Sequence, residues 1–124
     1  MSGYNNVNVK EASEMVKEDD IFILDVRTPS EFNSSHLKGA TLIPLTNTIG
    51  LNLKSDQLLE TRIDEVPKNK KVLVYCRTGR RSEAASKMLA NAGYLEIYNM
   101  VGGINAWKDE GFPVVDSARK EIKS

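Results

Sequence analysis

Residues 72–83 read Val72-Leu73-Val74-Tyr75-Cys76-Arg77-Thr78-Gly79-Arg80-Arg81-Ser82-Glu83. The apolar residues that open this stretch predict a buried strand, and a helical pattern follows the loop after it. Cys76 is the only cysteine in the sequence and falls where the strand ends. A thiol at a strand-to-helix turn faces backbone N–H groups and the positive end of a helix dipole, which favour the thiolate. The stretch therefore predicts an activated cysteine in an anion-binding loop.

The alternative is a packing role, because free cysteine is among the residue types most often buried as small hydrophobes. Against this interpretation, Arg77, Arg80 and Arg81 all lie within five residues of Cys76. Like charges this close repel one another unless an anion lies among them. We therefore favour a functional thiol, which is the kind of group whose pKa a site is built to shift.

Strand and helix patterns alternate along the chain on both sides of this stretch. Strands are predicted near Val7 and at residues 21–24, 41–43, 72–75 and 97–98. Helices are predicted at residues 10–17, 55–65 and 104–110, and a short one is predicted with Thr28 and Glu31 as a capping box around Pro29. One more helix follows the Cys76 loop and ends near Gly93, and its predicted apolar face is Ala84, Ala85, Met88, Leu89 and Ala92. Residues 45–53 are predicted to form a loop with Gly50, and Gly102-Gly103 a tight turn. Alternation of this kind predicts an α/β fold, a parallel sheet with helices on both faces. Cys76 would then lie at the carboxyl end of a central strand, where such folds bind ligands.

Size and composition indicate one domain spanning residues 1–124, with loosely ordered tails at residues 1–6 and 116–124, the second a frayed helix. The formal net charge is zero, so no overall field would draw the protein to nucleic acid or to a membrane. One cysteine permits no internal disulfide and no multi-cysteine metal site, and we predict neither a metal nor a cofactor. A reactive thiol and the absence of a signal-peptide pattern indicate the cytoplasm, although a removed leader would leave the same sequence.

Three other polar residues are candidates for a supporting role. Asp25 and Arg27 follow the predicted strand at residues 21–24 and could face a ligand, but an ion pair that holds the loop is the favoured interpretation. His36 is the only histidine, and a Cys–His pair would suggest hydrolase chemistry. We favour a hydrogen-bonded structural role for His36.

Three ordered motifs resemble the single-domain rhodanese-like family over about residues 7–115. They are residues 23–27 with Glu31-Phe32 and residues 36–40, the loop at residues 74–82, and Gly102-Gly103-Ile104-Asn105-Ala106-Trp107 with residues 111–114. The resemblance implies a three-layer α/β/α fold around a five-stranded parallel sheet. It also implies a sulfurtransferase in which Cys76 takes sulfane sulfur from thiosulfate or a persulfide, and passes it to cyanide, a thiol or a protein acceptor. The implied substrate cradle is Arg77, Thr78, Gly79, Arg80 and Arg81.

The chemistry of such a transfer fits the residues. When a thiolate attacks the outer sulfur of thiosulfate, sulfite leaves readily, so no strong general acid is needed. The site must hold a dianion beside a thiolate, and backbone N–H groups and arginine side chains can do that.

Two other functions remain open. Some rhodanese-like domains act as binding or regulatory modules without catalysis, although they commonly lack the loop cysteine that Cys76 provides. Phosphatases and arsenate reductases with related folds have a longer spacing between cysteine and arginine than the four residues that separate Cys76 from Arg81. Tyr75 also stands where those phosphatases commonly have histidine, so this function is the less favoured.

Overall fold

The computed structural model describes residues 3–45 and 53–117 and the backbone of residues 121–122. Within them, one parallel sheet is built from β1 (Asn5–Val7), β2 (Ile21–Asp25), β3 (Thr41–Leu42), β4 (Lys71–Tyr75) and β5 (Ile97–Met100). The strand order is β1-β5-β4-β2-β3, so β4 lies in the middle. The helices are α1 (Val9–Met15), α2 (Pro29–Ser34), α3 (Leu59–Arg62), α4 (Arg80–Asn91) and α5 (Gly103–Asp109). Two further short strands, β6 (Val114–Val115) and β7 (Glu121–Ile122), form a separate antiparallel pair.

The sheet is buried on both faces, as its continuous apolar strands predict. On β4, Val72 and Val74 pack into one core with Leu59 of α3 and Leu89 of α4. Leu73 and Tyr75 point the other way, into a second core with residues of α1 and α5 that include Ala12, Ile104 and Trp107. The predicted three-layer α/β/α fold with five parallel strands is confirmed.

Local sequence signals start two of the helices. Asn8 and Glu11 form a capping box at α1. Thr28 and Glu31 form the predicted one at α2, with Pro29 in the first turn. In each box the side chains satisfy backbone N–H groups that the helix itself leaves unpaired. The predicted end of α4 near Gly93 is also confirmed, because Gly93 has a positive φ of 95°.

The buried face of α4 differs from the predicted one. Ala84 and Ala92 are exposed, whereas Ser82, Ser86 and Ala90 are buried. The predicted face was wrong because it was based on apolar residues alone. The face towards the sheet instead consists largely of small side chains, including serines, which allow the helix to lie close to the strands.

Three predicted segments need correction. The helix expected from Ser55 to Glu65 is divided into a 3₁₀ turn at Ser55–Gln57, α3, and a second 3₁₀ turn at Ile63–Glu65, because Leu58 has an extended backbone. The helical tail is wrong for residues 121–122, which pair as a strand with β6. Residues 5 and 6, expected to be loosely held, lie in β1 because β5 offers them backbone partners. The predicted loop with Gly50 lies largely outside the described residues.

No helix in the described part of the chain combines the length and the apolarity that crossing a bilayer would require.

Candidate functional site

Cys76 lies directly after β4, at the carboxyl end of the sheet, as predicted. A tight loop of three residues joins it to α4, and Gly79 turns the chain with a φ of 118°. The cysteine is only 1% exposed and belongs to the core that contains Val74 and Leu89. Its Sγ nevertheless faces the loop, where it accepts a hydrogen bond from the backbone N–H of Gly79 at 3.0 Å. The sulfur thus lies at the floor of an amide-lined loop and is not enclosed by aliphatic groups alone.

Two opposing effects set the pKa of the Cys76 thiol. Burial raises the pKa, whereas hydrogen bonds from the Ser82 hydroxyl and from the backbone N–H groups of Ser82, Gly79 and Thr78 lower it. The hydrogen bonds prevail, so the pKa lies below its ordinary value. Since these donors all bind the charged form, the loop favours the thiolate.

Ser82 also belongs to the site, although it is not among the candidate residues predicted from the sequence. It is fully buried in the first turn of α4, and its hydroxyl can donate its one hydrogen to the Gly79 carbonyl oxygen, at 3.1 Å, or to the Cys76 sulfur, whose pKa that second hydrogen bond lowers. Side chains of a helix point back towards its N-terminus, and that end of α4 carries Cys76. The position of Ser82, three residues into the predicted helix, therefore indicates a side chain that lies close to the sulfur.

The arginines lie at the rim of the loop. Arg77 and Arg80 are exposed. Arg81 donates two hydrogen bonds to the carboxylate of Glu31, with nitrogen–oxygen distances of 2.7 and 2.9 Å. The donors that the structure brings to the sulfur are thus amides and a hydroxyl, and the substrate-binding role of the three arginines stays a prediction.

The Arg81–Glu31 pair ties the start of α4 to α2. The hydrogen bond from Arg81 holds the pKa of Glu31 at about 2, against an ordinary value of 4.5. The same bond raises the pKa of Arg81, and the nearby charge of Cys76 adds to that rise. Arg81 is therefore electrostatically coupled to the thiolate while its guanidinium is held by a carboxylate.

The start of α5 packs against the backbone of the Cys76 loop. The N–H of Ile104 donates to the carbonyl of Cys76 at 2.9 Å, and that of Asn105 donates to the carbonyl of Arg77 at 3.1 Å. A Cβ on Gly103 would come within 2.5 Å of these same carbonyl groups. The predicted Gly102–Gly103 turn therefore supports the loop as well as reversing the chain.

Asp25 and Arg27 form the predicted ion pair beneath the site. Both are buried, and Arg27 Nη2 lies 2.7 Å from Asp25 Oδ2 and 2.5 Å from the Ser35 carbonyl oxygen. Burial lowers the pKa of Arg27, but the hydrogen bond and the charge of Asp25 raise it further, so the arginine stays charged. The guanidinium also lies 5.5 Å from the ring centre of Tyr75, the residue before Cys76. The pair holds β2 and the α2 region beside the loop.

His36 has the predicted structural role. Its Nδ1 lies 2.8 Å from the carbonyl oxygen of Phe32, and its ring stacks on the Phe32 ring with centres 3.7 Å apart. Its backbone pairs with Val115. In the described part of the chain no hydrogen bond joins His36 to Cys76, so the geometry does not favour a Cys–His hydrolase. Among the described residues, no cluster of histidine, cysteine or carboxylate side chains could hold a metal ion.

Comparison with known proteins places this architecture in a family. The family model for the rhodanese-like domain matches residues 8–110. A sulfurtransferase from Allochromatium vinosum is 31% identical over 112 residues, which cover 90% of this chain and 94% of that protein. The thiosulfate sulfurtransferase GlpE of Coxiella burnetii is 31% identical over 105 residues, covering 85% and 88% of the two chains. The crystal structure of a rhodanese-related protein from Thermoplasma volcanium has a TM-score of 0.75 and 32% identity, covering 90% of this chain and 98% of that one. The chain therefore belongs to the rhodanese-like domain family.

Proposed function

We propose that the protein is a sulfurtransferase that takes sulfane sulfur from thiosulfate or a persulfide onto Cys76 and passes it to cyanide or a thiol. The observation that carries this proposal is the Cys76 thiol, whose pKa is lowered by hydrogen bonds from Gly79, Thr78 and Ser82 at the end of β4. Relatives that share about a third of their residues with this chain are named sulfurtransferases. Because the thiol must stay reduced, we also propose that the protein acts in the cytoplasm.

The transfer needs only a nucleophile and anion stabilisation. The Cys76 thiolate attacks the outer sulfur of thiosulfate, the bond between the two thiosulfate sulfurs breaks, and sulfite leaves with the electron pair. The persulfide that results carries its charge mainly on the outer sulfur, at the mouth of the amide-lined loop. The loop N–H groups, which bind Sγ in the unloaded protein, are the donors nearest to that charge and stabilise it.

The near-complete burial of Cys76 favours a donor that presents a single sulfur atom at the end of a narrow group. The spacing of four residues between Cys76 and Arg81 gives a small loop, which suits sulfur better than a phosphoryl group. These two features set the sulfurtransferase above the phosphatase or arsenate reductase alternative.

Intact-mass spectrometry after incubation with thiosulfate tests the proposal. We expect the parent protein to gain one sulfur, to lose it on addition of cyanide with release of thiocyanate, and Cys76→Ser to gain none. Turnover of an aryl phosphate without a sulfur adduct would instead favour phosphatase chemistry. Absence of both activities in a correctly folded protein would favour a binding or regulatory module.

A further inference from the structure

The Glu31 carboxylate lies beside the Cys76 loop as well as at the junction of α2 and α4. Glu31 and Arg77 line the same cavity of about 360 Å³, between α2, α5 and the loop. The partner of Glu31, Arg81, is in the first turn of α4, next to Ser82, whose hydroxyl can bond the Cys76 sulfur. A fixed negative charge therefore borders the space next to the loop.

Glu31 occupies the guanidinium of Arg81 with both of its oxygens. Arg81 Nη1 lies 2.7 Å from Glu31 Oε1, and Nη2 lies 2.9 Å from Oε2, which is the two-pronged geometry of strong arginine–carboxylate pairs. Glu31 has a pKa of about 2, so it is ionised throughout the neutral pH range. The charge of Arg81 is therefore neutralised before any substrate arrives.

A doubly charged donor is opposed by this arrangement more than a singly charged one. Thiosulfate carries two negative charges, and its sulfonate group must displace Glu31 to bind Arg81. The displaced carboxylate, which also accepts a hydrogen bond from the Thr28 N–H at 3.1 Å, would then be left unpaired beside a dianion. Repulsion from Glu31 is proportional to the charge of the donor, so a monoanion meets half of it.

The other cations near the loop keep the site attractive to anions in general. Arg77 and Lys108 line the same cavity as Glu31, and Arg77 and Arg80 are exposed, where water and salt screen their charge. Glu31 thus leaves the binding of anions possible and weakens the hold on a second negative charge. A repulsive group of this kind confers selectivity between related ligands.

Resting on the proposed function, we propose that Glu31 determines which sulfur donors the protein prefers. By occupying Arg81, it makes the site select donors that carry a single negative charge, such as organic persulfides and thiosulfonates, over the thiosulfate dianion. Glu31 acts through Arg81 and does not contact the reacting sulfur atoms, so it is a positioning residue.

Two donors that differ by one charge isolate this effect. Thiosulfate and methanethiosulfonate both present a terminal sulfur on a sulfonyl group, and a methyl group in the second replaces a charged oxygen of the first. With either donor the Cys76 thiolate attacks the terminal sulfur and forms a new S–S bond. The S–S bond of the donor breaks, and sulfite or methanesulfinate leaves with the electron pair, so no further reactant is needed.

The kcat/KM values of Glu31→Gln for the two donors test the inference. Glutamine keeps the size of the side chain and can still accept the Thr28 N–H of the capping box, but it lacks the charge that holds Arg81. We expect kcat/KM to rise about threefold for methanethiosulfonate and on the order of tenfold for thiosulfate, mainly through a lower KM, because the repulsion that is removed scales with donor charge. An unchanged ratio of the two values would overturn the inference.

Two further variants identify the cause of the change. Glu83→Gln is the matched control, because Glu83 is an exposed carboxylate in the first turn of α4 that pairs loosely with Lys87, at 3.6 Å, and does not line the cavity. We expect its donor ratio to equal that of the parent, and a shift as large as that of Glu31→Gln would overturn the inference. The double variant Glu31→Gln/Arg81→Ala should lose the gain with thiosulfate, and a gain that persists would overturn the role of Arg81.

Sulfate provides a test that needs neither sulfur transfer nor a stable variant, since it is a dianion without a transferable sulfur. At constant ionic strength, sulfate should leave the Arg81 Nε resonance of the parent unchanged, because Glu31 holds the guanidinium, and should shift it in Glu31→Gln. A shift in the parent would show that an anion displaces Glu31, and would overturn the inference. Sulfur uptake with an unchanged donor ratio overturns the inference alone, whereas a Cys76 that takes sulfur from neither donor overturns the proposed function.

Discussion

At the scale of single residues, the chemistry of Cys76 depends on a competition between burial and hydrogen bonding. A buried thiol surrounded by apolar groups would have a raised pKa and would be unreactive at neutral pH. Here the Ser82 hydroxyl and three backbone N–H groups outweigh the burial of the sulfur. The same burial keeps water away from the sulfur and strengthens each of those hydrogen bonds.

The first prediction concerns Ser82. Ser82→Ala removes a hydrogen bond to the thiolate, so the pKa of Cys76 should rise, and alkylation by iodoacetamide should slow below that pKa. The pH dependence of the alkylation rate measures the change. Ser86→Ala is the matched control, because Ser86 is a buried serine one turn further along α4 whose hydroxyl has no partner among the described residues. An equal effect in both variants would contradict the role of Ser82.

The second prediction concerns the pair of Arg81 and Glu31. The pKa of Glu31 is about 2 in the folded protein and near 4.5 when unpaired, so the stability that the pair contributes is fully present above about pH 4.5 and is lost as pH falls towards 2. Arg81→Ala should therefore remove about 1 kcal/mol at pH 7, a modest amount because the side chains are partly exposed, and flatten the decline in stability on acidification. Urea unfolding at pH 7, 4.5 and 3 measures both effects.

Glu14→Gln serves as the control for that series, since it breaks an exposed pair between Glu14 of α1 and Lys17, just beyond that helix. We expect the control to follow the parent at every pH. A parallel decline for Arg81→Ala and the parent would show that Glu31 titrates independently of Arg81.

At the scale of secondary-structure elements, the Cys76 loop is held from two sides. Its carbonyl groups accept hydrogen bonds from the first N–H groups of α5, and the Arg81–Glu31 pair joins the start of α4 to α2. The N–H groups of the loop are left free to face the sulfur. The elements therefore orient the loop with its amides inwards before any substrate binds, which is the arrangement that stabilises developing charge at least cost.

The third prediction tests the contact between α5 and the loop. Gly103 has a φ of 61°, and a Cβ there would lie 2.5 Å from backbone atoms of Arg77 and Cys76. Gly103→Ala should cost at least about 2 kcal/mol and should slow sulfur uptake, because the loop must shift to relieve the overlap. Urea unfolding and the rate of persulfide formation measure the two effects.

Gly111→Ala separates backbone strain from this overlap. Gly111 also has a positive φ, 80°, but a Cβ there would meet nothing within 4 Å. We expect this control to cost about 1 kcal/mol and to leave the rate of persulfide formation close to that of the parent. Equal losses in the two variants would mean that the contact with α5 does not position the loop.

At the scale of the whole molecule, the sheet places the strand that leads to Cys76 at its centre. β4 pairs with β2 on one side and β5 on the other, and both of its faces are covered. β1 and β3 form the edges and are short. Cys76, at the end of the central strand, is thus held by the most extensively bonded part of the fold, at the carboxyl end of the sheet where α/β folds bind ligands.

The fourth prediction follows from this arrangement. The amide protons of Val72, Leu73 and Val74 should exchange only through global unfolding, whereas those of β1 and β3 should exchange through local opening at lower free energy. Native-state hydrogen exchange at increasing denaturant concentration measures the difference. Protection of the edge strands equal to that of β4 would show that the sheet opens as one unit.

Much of this protein could be predicted from short stretches of sequence. The apolar run at residues 72–75 and the helical pattern after it predict a buried strand, a helix and a turn between them, and hence the position of Cys76. The capping box of Thr28 and Glu31 and the stop at Gly93 are equally local. Such features depend on neighbours within a few residues, so periodicity and turn chemistry are sufficient to read them.

Tertiary structure decided the rest, because the partners are distant in the chain. Arg81 reaches a carboxylate 50 residues away, and Asn99 pairs with an amide 93 residues away. The sequence predicts arginines around the sulfur, whereas packing placed Arg81 on Glu31 and brought Ser82 and the loop amides to Cys76. The sequence by itself determined the strand, the position of Cys76 at its end and the loop that follows. The register of the strands and the docking of α4 and α5 decided which groups face the sulfur. The direction of a side chain depends on the position of its backbone, and contacts between distant parts of the chain set that position.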